Sequence, residues 1–155
     1  YSFIDATYQF TGDLPSPHNP AADPEGNVHV TPGKRIPGIP QHRFKAGFDY
    51  RMTEAWKIGA DVNVLGSQYY VGDDANQNDK LPAYWVANLR SSYQLSKQLE
   101  LFGLVNNLFN NSYASYGRYF ELTGVAKALP FALTDPRMQT PGQPLSIYAG
   151  IKAKF

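Results

Sequence analysis

The densest group of chemically capable side chains lies between residues 113 and 120: Tyr113, Tyr116, Arg118, Tyr119 and Phe120. Aromatic faces beside a guanidinium suit a flat, anionic ligand such as a metal chelate. The same types fit an aromatic belt at a membrane boundary, or packing between loops. Tyr69 and Tyr70 carry the same two readings. Asp74-Ala75-Asn76-Gln77-Asn78 opens like a calcium loop, but Asp79 stands where glycine is needed and Trp85 where the closing glutamate belongs. A solvated loop tip is the simpler account. His18, His29 and His42 could ligate a transition metal, but spacings of eleven and thirteen residues match no compact motif. No metal site and no cofactor is therefore expected. No nucleophile elbow, phosphate-cradling glycine loop or supported carboxylate pair is visible, so no enzymatic activity is expected.

Composition narrows the class of chain that must position these groups. Charged residues make up 17% of the 155 positions, where soluble domains average about 25%. Aromatics reach 14%, and the formal net charge of +1 argues against a nucleic-acid partner held by bulk charge. Mean hydropathy is −0.41, and no run approaches the roughly 18 apolar residues of a membrane helix. A membrane barrel remains open, because only alternate residues of its strands meet lipid. The absence of cysteine excludes disulfides and thiolate metal sites. Tyr1 lies directly inside an alternating segment with no initiator Met, which predicts that the natural chain begins upstream.

Period-two alternation recurs along the chain. Ile4, Ala6, Tyr8 and Phe10 share one face of residues 1–10. Phe44, Ala46, Phe48, Tyr50 and Met52 oppose Arg43, Lys45, Asp49 and Arg51. After a turn at residues 53–55, Trp56, Ile58, Ala60, Val62 and Val64 oppose Lys57, Asp61 and Asn63. Residues 84–95 set Trp85, Ala87, Leu89, Tyr93 and Leu95 against Asn88, Arg90, Ser92 and Gln94. A second turn at residues 96–98 leads into residues 99–108, whose phase is ambiguous: Leu99, Leu101 and Val105 oppose Phe102, Leu104 and Leu108. The last twelve residues alternate to the end, with Leu145, Ile147, Ala149, Ile151, Ala153 and Phe155 on one face. Three long segments, 11–40, 72–83 and 109–143, read as loops, the first holding seven prolines. A short helix is predicted over Glu121 to Leu129.

Six strands of roughly ten residues are each long enough to cross a bilayer when tilted. Their connections run long, short, long, short, long, so an up-and-down sheet gathers the short turns at one end and the long loops at the other. Outer-membrane barrels share that asymmetry, with short periplasmic turns and long extracellular loops. Six strands do not close a barrel, for which about eight is the usual minimum. An open edge in lipid costs several kcal/mol per unsatisfied group. Either several small chains combine or, as we favour, this is the last part of a longer barrel.

Tyr148, Gly150, Ala153 and Phe155 resemble the C-terminal assembly signal of bacterial outer-membrane barrels, although an aromatic is commoner where Ala153 stands. Leu101 to Tyr116, LFGLVNNLFNNSYASY, is similar to the penultimate strand of TonB-dependent outer-membrane receptors, through Asn107, Leu108, Phe109 and Tyr113. RIPGIPQHRF at Arg35 to Phe44 and the Pro-Gly approach to the terminal strand resemble the same family. The resemblance implies an all-β fold: residues 1–155 would be the last six strands of an up-and-down antiparallel transmembrane β-barrel of roughly 22 strands, with a plug upstream. It implies active uptake of a scarce ligand across the bacterial outer membrane, most commonly a ferric siderophore, with cobalamin, haem, other metals and carbohydrates as minorities. It implies as partners the TonB energy-transducing complex acting through the plug, the barrel-assembly machinery reading the C-terminal strand, outer-membrane lipid and lipopolysaccharide, and the small-molecule ligand. Tyr69, Tyr70, Tyr113, Tyr116, Arg118, Tyr119 and Phe120 are the candidate ligand-binding residues. The competing expectations are a passive porin or structural barrel assembled from small chains, and a soluble all-β binding module using loops 11–40 and 109–143.

Overall fold

The computed structural model describes residues 1–122 and 134–154. Ten strands run in chain order: β1 (Ser2–Phe3), β2 (Gly12–Pro15), β3 (Asn27–Val30), β4 (His42–Arg51), β5 (Trp56–Leu65), β6 (Tyr84–Gln94), β7 (Leu99–Asn106), β8 (Ala114–Tyr119), β9 (Arg137–Pro141) and β10 (Ser146–Ala153). Six of them form one antiparallel sheet in the order β1-β4-β5-β6-β7-β10. The remaining four form two hairpins, β2-β3 and β8-β9, inside the first and third long loops.

Register explains the faces. Phe48 pairs with Ala60, Ala60 with Leu89, Leu89 with Val105 and Val105 with Ile147. The apolar residues of β4, β5, β6 and β10 therefore continue one another across the sheet. Leu101 pairs with Tyr93 and Ile151, which fixes the phase that the sequence of residues 99–108 left open. Leu99, Leu101 and Val105 join the apolar face; Phe102 and Leu104 join the other.

That apolar face is exposed, with Ile147 at 71% and Phe48 at 56%. A contiguous apolar surface across five strands is of the kind that marks an interaction or membrane face. Tyr50, Trp56 and Tyr93 border it near the short turns, and Phe44, Trp85 and Phe109 border it near the loops. Trp85 and Tyr93 stand eight residues apart, about 27 Å of strand. This is an apolar band edged by two aromatic girdles.

Both short turns are closed by hydroxyls. Thr53 Oγ1 accepts from the Ala55 and Trp56 amides at 3.3 and 3.0 Å, and Ser96 Oγ accepts from the Gln98 amide at 3.3 Å. Asn107 ends β7. Its backbone is left-handed (φ 49°), and its buried amide donates to the carbonyls of Asn111 and Gln143 at 2.9 and 3.0 Å. The asparagine of the Asn-Leu-Phe motif thus ties both ends of the third loop to the sheet.

The first predicted strand is much shorter than residues 1–10. Only Ser2–Phe3 ladder with β4. Beyond them the chain runs beside residues 33–41 through scattered bonds, including Ile4 N to Gln41 O at 2.9 Å and Ile36 N to Ala6 O at 3.0 Å. Pro32, Pro37 and Pro40 lack the N–H groups a continuous ladder needs. The helix expected over Glu121 to Leu129 falls almost wholly outside the described residues, as does Phe155 of the terminal signal.

Candidate functional site

The long loops lie together beyond the sheet and hold the buried apolar clusters. Val28, Val30 and Ala75 form one, with Tyr8, Leu14 and Ala22 packed against it. Tyr70, Leu81 and Tyr119 form the other, with Ala114 against it. The first joins loop 11–40 to loop 72–83; the second joins loop 72–83 to hairpin β8-β9.

β8 sorts the candidate ligand residues by alternation. Gly117 and Tyr119 face inward and are buried. Tyr116, Arg118 and Phe120 share the outward side, and the Arg118 guanidinium stands 6.0 Å from the Phe120 ring centre. Tyr70 is 2% exposed; its ring stacks on Tyr119 at 5.7 Å and its hydroxyl accepts from Gln139 Nε2 at 2.5 Å. A Cβ on Gly117 would come within 2.6 Å of that ring, so glycine is what lets Tyr70 lie flat there. Tyr113 stacks on Tyr84 at 4.3 Å and covers Gly142. Tyr69 lies under Lys80, whose ammonium is 4.7 Å from the ring centre. The seven residues are therefore not one surface. Tyr70 and Tyr119 are packing, Tyr69, Tyr113 and Phe120 are half-buried, and Tyr116 and Arg118 are exposed.

Burial pushes the Tyr119 hydroxyl up to about 12, with the Asp73 carboxylate acting in the same direction. Burial and the bonded Asp74 carboxylate likewise push the Tyr8 hydroxyl up. At the start of β9, Arg137 grips Asp135 through three contacts of 2.7 to 3.0 Å and holds its carboxyl below the usual range.

The calcium-like stretch is occupied by its own protein contacts. Asp73, one residue before it, is fully buried and accepts from the Gln77 and Asn78 amides at 3.0 Å each. Asn76 exchanges hydrogen bonds with the Arg35 backbone, donating at 2.9 Å and accepting at 2.6 Å. Among the described residues no three His, Cys, Asp or Glu side chains converge on a metal-sized site. His29 pairs with Asp13 at 2.6 Å, and His42 lies against Tyr1 and Phe3.

Sequence reasoning passed over Tyr84 and Gln139. They line a cleft of about 460 Å³ with Pro82, Ala83, Tyr113 and Pro141, where the loops meet the sheet. Tyr84 sits one residue from Trp85 and on the opposite face, a position that alternation alone would have assigned to the interior. The polar sheet face carries a fixed charge lattice. Arg90 donates to Asp49 at 2.8 Å, to Asp61 at 3.2 Å and to the Phe48 carbonyl at 3.0 Å. Asn63 and Asn88 each donate to Asp61 at 2.8 Å. Gly59 leaves the gap for it, since a Cβ there would lie 2.4 Å from Asp49 Oδ1. A charged, hydrogen-bonded face behind an apolar one is the arrangement of a wall between lipid and a hydrated lumen.

The family description "TonB dependent receptor-like, beta-barrel" matches residues 1–108. The chain belongs to the TonB-dependent receptor family. It is 31% identical over 112 residues to the metal-pseudopaline receptor CntO of Pseudomonas aeruginosa, covering 68% of this chain and 16% of that receptor. It is 28% identical over 81 residues to the catecholate siderophore receptor Fiu of Escherichia coli, covering 52% of this chain and 11% of that one. The siderophore receptor PiuA of Acinetobacter baumannii superposes with a TM-score of 0.64 at 18% identity, over 80% of this chain and 15% of its own length, which shows a shared fold. The chain thus spans about a sixth or less of these TonB-dependent receptors. Members of the family are outer-membrane β-barrels, and these relatives are receptors rather than enzymes.

Proposed function

We propose that residues 1–155 supply wall, lumen lining and three extracellular loops to a TonB-dependent receptor that takes up a ferric siderophore or similar metal chelate across the bacterial outer membrane. The observation that carries this reading is the combination of an exposed apolar face with all long loops at one end, in a chain similar to metal-chelate and siderophore receptors. The short turns then lie on the periplasmic side and the two loop hairpins outside. Tyr116, Arg118 and Phe120 offer an anionic chelate a cation backed by aromatic rings. Tyr69 and Tyr113 border its approach, and Tyr70 and Tyr119 hold β8 in place. The TonB complex acts on the rest of the receptor, and the assembly machinery reads Tyr148, Gly150, Ala153 and Phe155. Lipid and lipopolysaccharide meet the apolar face.

The test is uptake of radiolabelled ferric siderophores by cells whose only such receptor is the full-length protein. Collapse of the proton gradient stops uptake on this reading and leaves it unchanged for a passive porin. Tyr116→Ala combined with Arg118→Ala lowers uptake several-fold while the heat-modifiable barrel band stays at its normal level. Unchanged uptake in that double variant removes the ligand role from this face.

A further inference from the structure

Loop 72–83 is threaded between the other two long loops. On one side, Ser16 Oγ and Asn19 Nδ2 donate to the Gly72 carbonyl at 2.5 and 2.6 Å. Asn78 Nδ2 donates to Asn19 Oδ1 at 2.9 Å and to Asp73 Oδ1 at 3.1 Å. The Tyr8 hydroxyl donates to Asp74. On the other side, Val71 N donates to the Gly117 carbonyl at 2.9 Å and Tyr119 N to the Val71 carbonyl at 3.0 Å, so residue 71 extends the β8-β9 sheet. Gly72 (φ +97°) is squeezed from both directions: a Cβ there would lie 3.1 Å from Ser16 Oγ and 3.6 Å from Tyr119 Cβ. Asp73 is wholly buried between these contacts, and no buried side-chain N or O atom among the described residues is without a partner.

We propose that loop 11–40, loop 72–83 and hairpin β8-β9 form a single rigid cap keyed by Asp73, which opens or closes as one body rather than segment by segment. A buried carboxylate is expensive unless its acceptor positions are filled; Gln77 and Asn78 of its own loop fill them at 3.0 to 3.1 Å, and Asn19 of loop 11–40 adds a longer contact at 3.5 Å. Asp73 thus holds the turn that presents the Gly72 carbonyl and the Asn78 amide to Ser16 and Asn19, and those bonds tie the two loops together. The Val71 bridge and the Tyr70–Tyr119 stack extend the body to β8. Tyr116 and Arg118 lie on the outer side of that strand, so a solute bound there acts on loop 11–40 through residues 71–73. This reading does not depend on which solute, if any, the cap receives.

The experiment is hydrogen exchange by mass spectrometry on the full-length receptor in detergent micelles, comparing the parent with Asp73→Ala. The expected result is faster exchange, by about tenfold or more, in three places together: residues 16–30, residues 70–78 and the Gly117–Tyr119 stretch of β8. The amides of β5 keep their parent rates. Acceleration confined to residues 72–78 overturns the proposal, because the loops then open independently. If Asp73→Ala yields no heat-modifiable barrel, Asn19→Ala is measured instead. It removes the contacts to Gly72 and Asn78, and the same two outcomes decide.

Discussion

The sheet and the cap of this chain solve opposite problems. In the cap, Val28, Val30, Tyr70, Leu81 and Tyr119 are buried as in any water-soluble core. In the sheet, Phe44, Phe48, Trp85, Ile147 and Ile151 are exposed, and among the described residues the buried large hydrophobics all lie in the loops. Side chains of the same types are hidden in one region and displayed in the other, as the proposed membrane placement requires: the cap buries apolar area away from water, while the sheet would offer it to lipid. Polar groups invert in the same way. Arg90, Asp49 and Asp61 bond along an open sheet face, whereas Asp73 and Asn107 bond inside closed networks.

Truncation in the cap is the strongest way to break this contrast. Leu81 is 1% exposed, and its backbone exchanges hydrogen bonds with Gln68 at 2.8 and 3.2 Å. Leu81→Ala costs about 2–5 kcal/mol of local stability through lost burial and a residual cavity. Hydrogen exchange at residues 68–81 reads that loss directly, while the denaturant midpoint of the barrel in lipid stays put. Loss of the barrel itself would mean that cap and wall are one cooperative unit.

Charge on the lipid face is the next largest lever. Leu89 stands midway along β6 in the apolar row between Ala60 and Val105. Leu89→Arg costs about 2–4 kcal/mol of folding free energy near the bilayer midplane. Ser92→Arg, on the opposite face of the same strand, costs less than about 1 kcal/mol. Equal penalties in a vesicle-folding titration would contradict the assignment of faces.

The wall was legible from β4 onward because one rule, alternation, repeats there; at residues 1–10 the same rule overshot, since only Ser2–Phe3 pair with β4. The ambiguity at β7 has a physical source. β7 places Phe102 and Leu104 on the polar side beside Tyr148 of β10, so both phases of Leu99 to Leu104 read as apolar. Only pairing with Tyr93 and Ile151 distinguishes them. The cap was illegible for the converse reason. Its contacts join residues 41 to 69 positions apart, such as Arg35 with Asn76, Asn19 with Gly72 and Tyr70 with Gln139, and no local pattern announces them. The calcium-like motif drew attention to Asp74, yet the hub is Asp73, which has no place in that motif. Alternation within 113–120 did hold the signal that Tyr116, Arg118 and Phe120 face one way and Tyr119 the other. It needed only the knowledge that those residues form a strand.

Alkaline pH separates the regions through the tyrosines of the cap. The Tyr119 hydroxyl moves from an ordinary 10.0 to about 12, first by burial and then by the Asp73 carboxylate. A group raised on folding stabilises fully below its unfolded value and loses that contribution as pH climbs through its folded one. The cap therefore loses about 2 kcal/mol between pH 10 and 12, and the raised Tyr8 hydroxyl adds in the same direction. Exchange rates at β8, corrected for intrinsic pH dependence, rise across that window. Tyr119→Phe flattens the rise, and a rise unaltered by that change would assign the alkaline opening to another group.

The smallest effect sits at the cap's edge, where Asp135 is held by Arg137 in solvent. Its carboxyl is lowered in the folded state, so its contribution is present above the unfolded value near 4 and is lost as pH falls through the lowered folded one. The pair is exposed, with side chains at 42% and 53%, so water screens it and its worth stays below about 1 kcal/mol. Asp135→Asn therefore loosens only the start of β9, by less than about fivefold in exchange at residues 137–139. The buried Asp73, a carboxylate of the same intrinsic chemistry, carries the larger consequence because its partners are the loops themselves. If Asp135→Asn opened the cap as widely as Asp73→Ala, burial would not be what distinguishes the two carboxylates, and the keystone would have to be sought along β9.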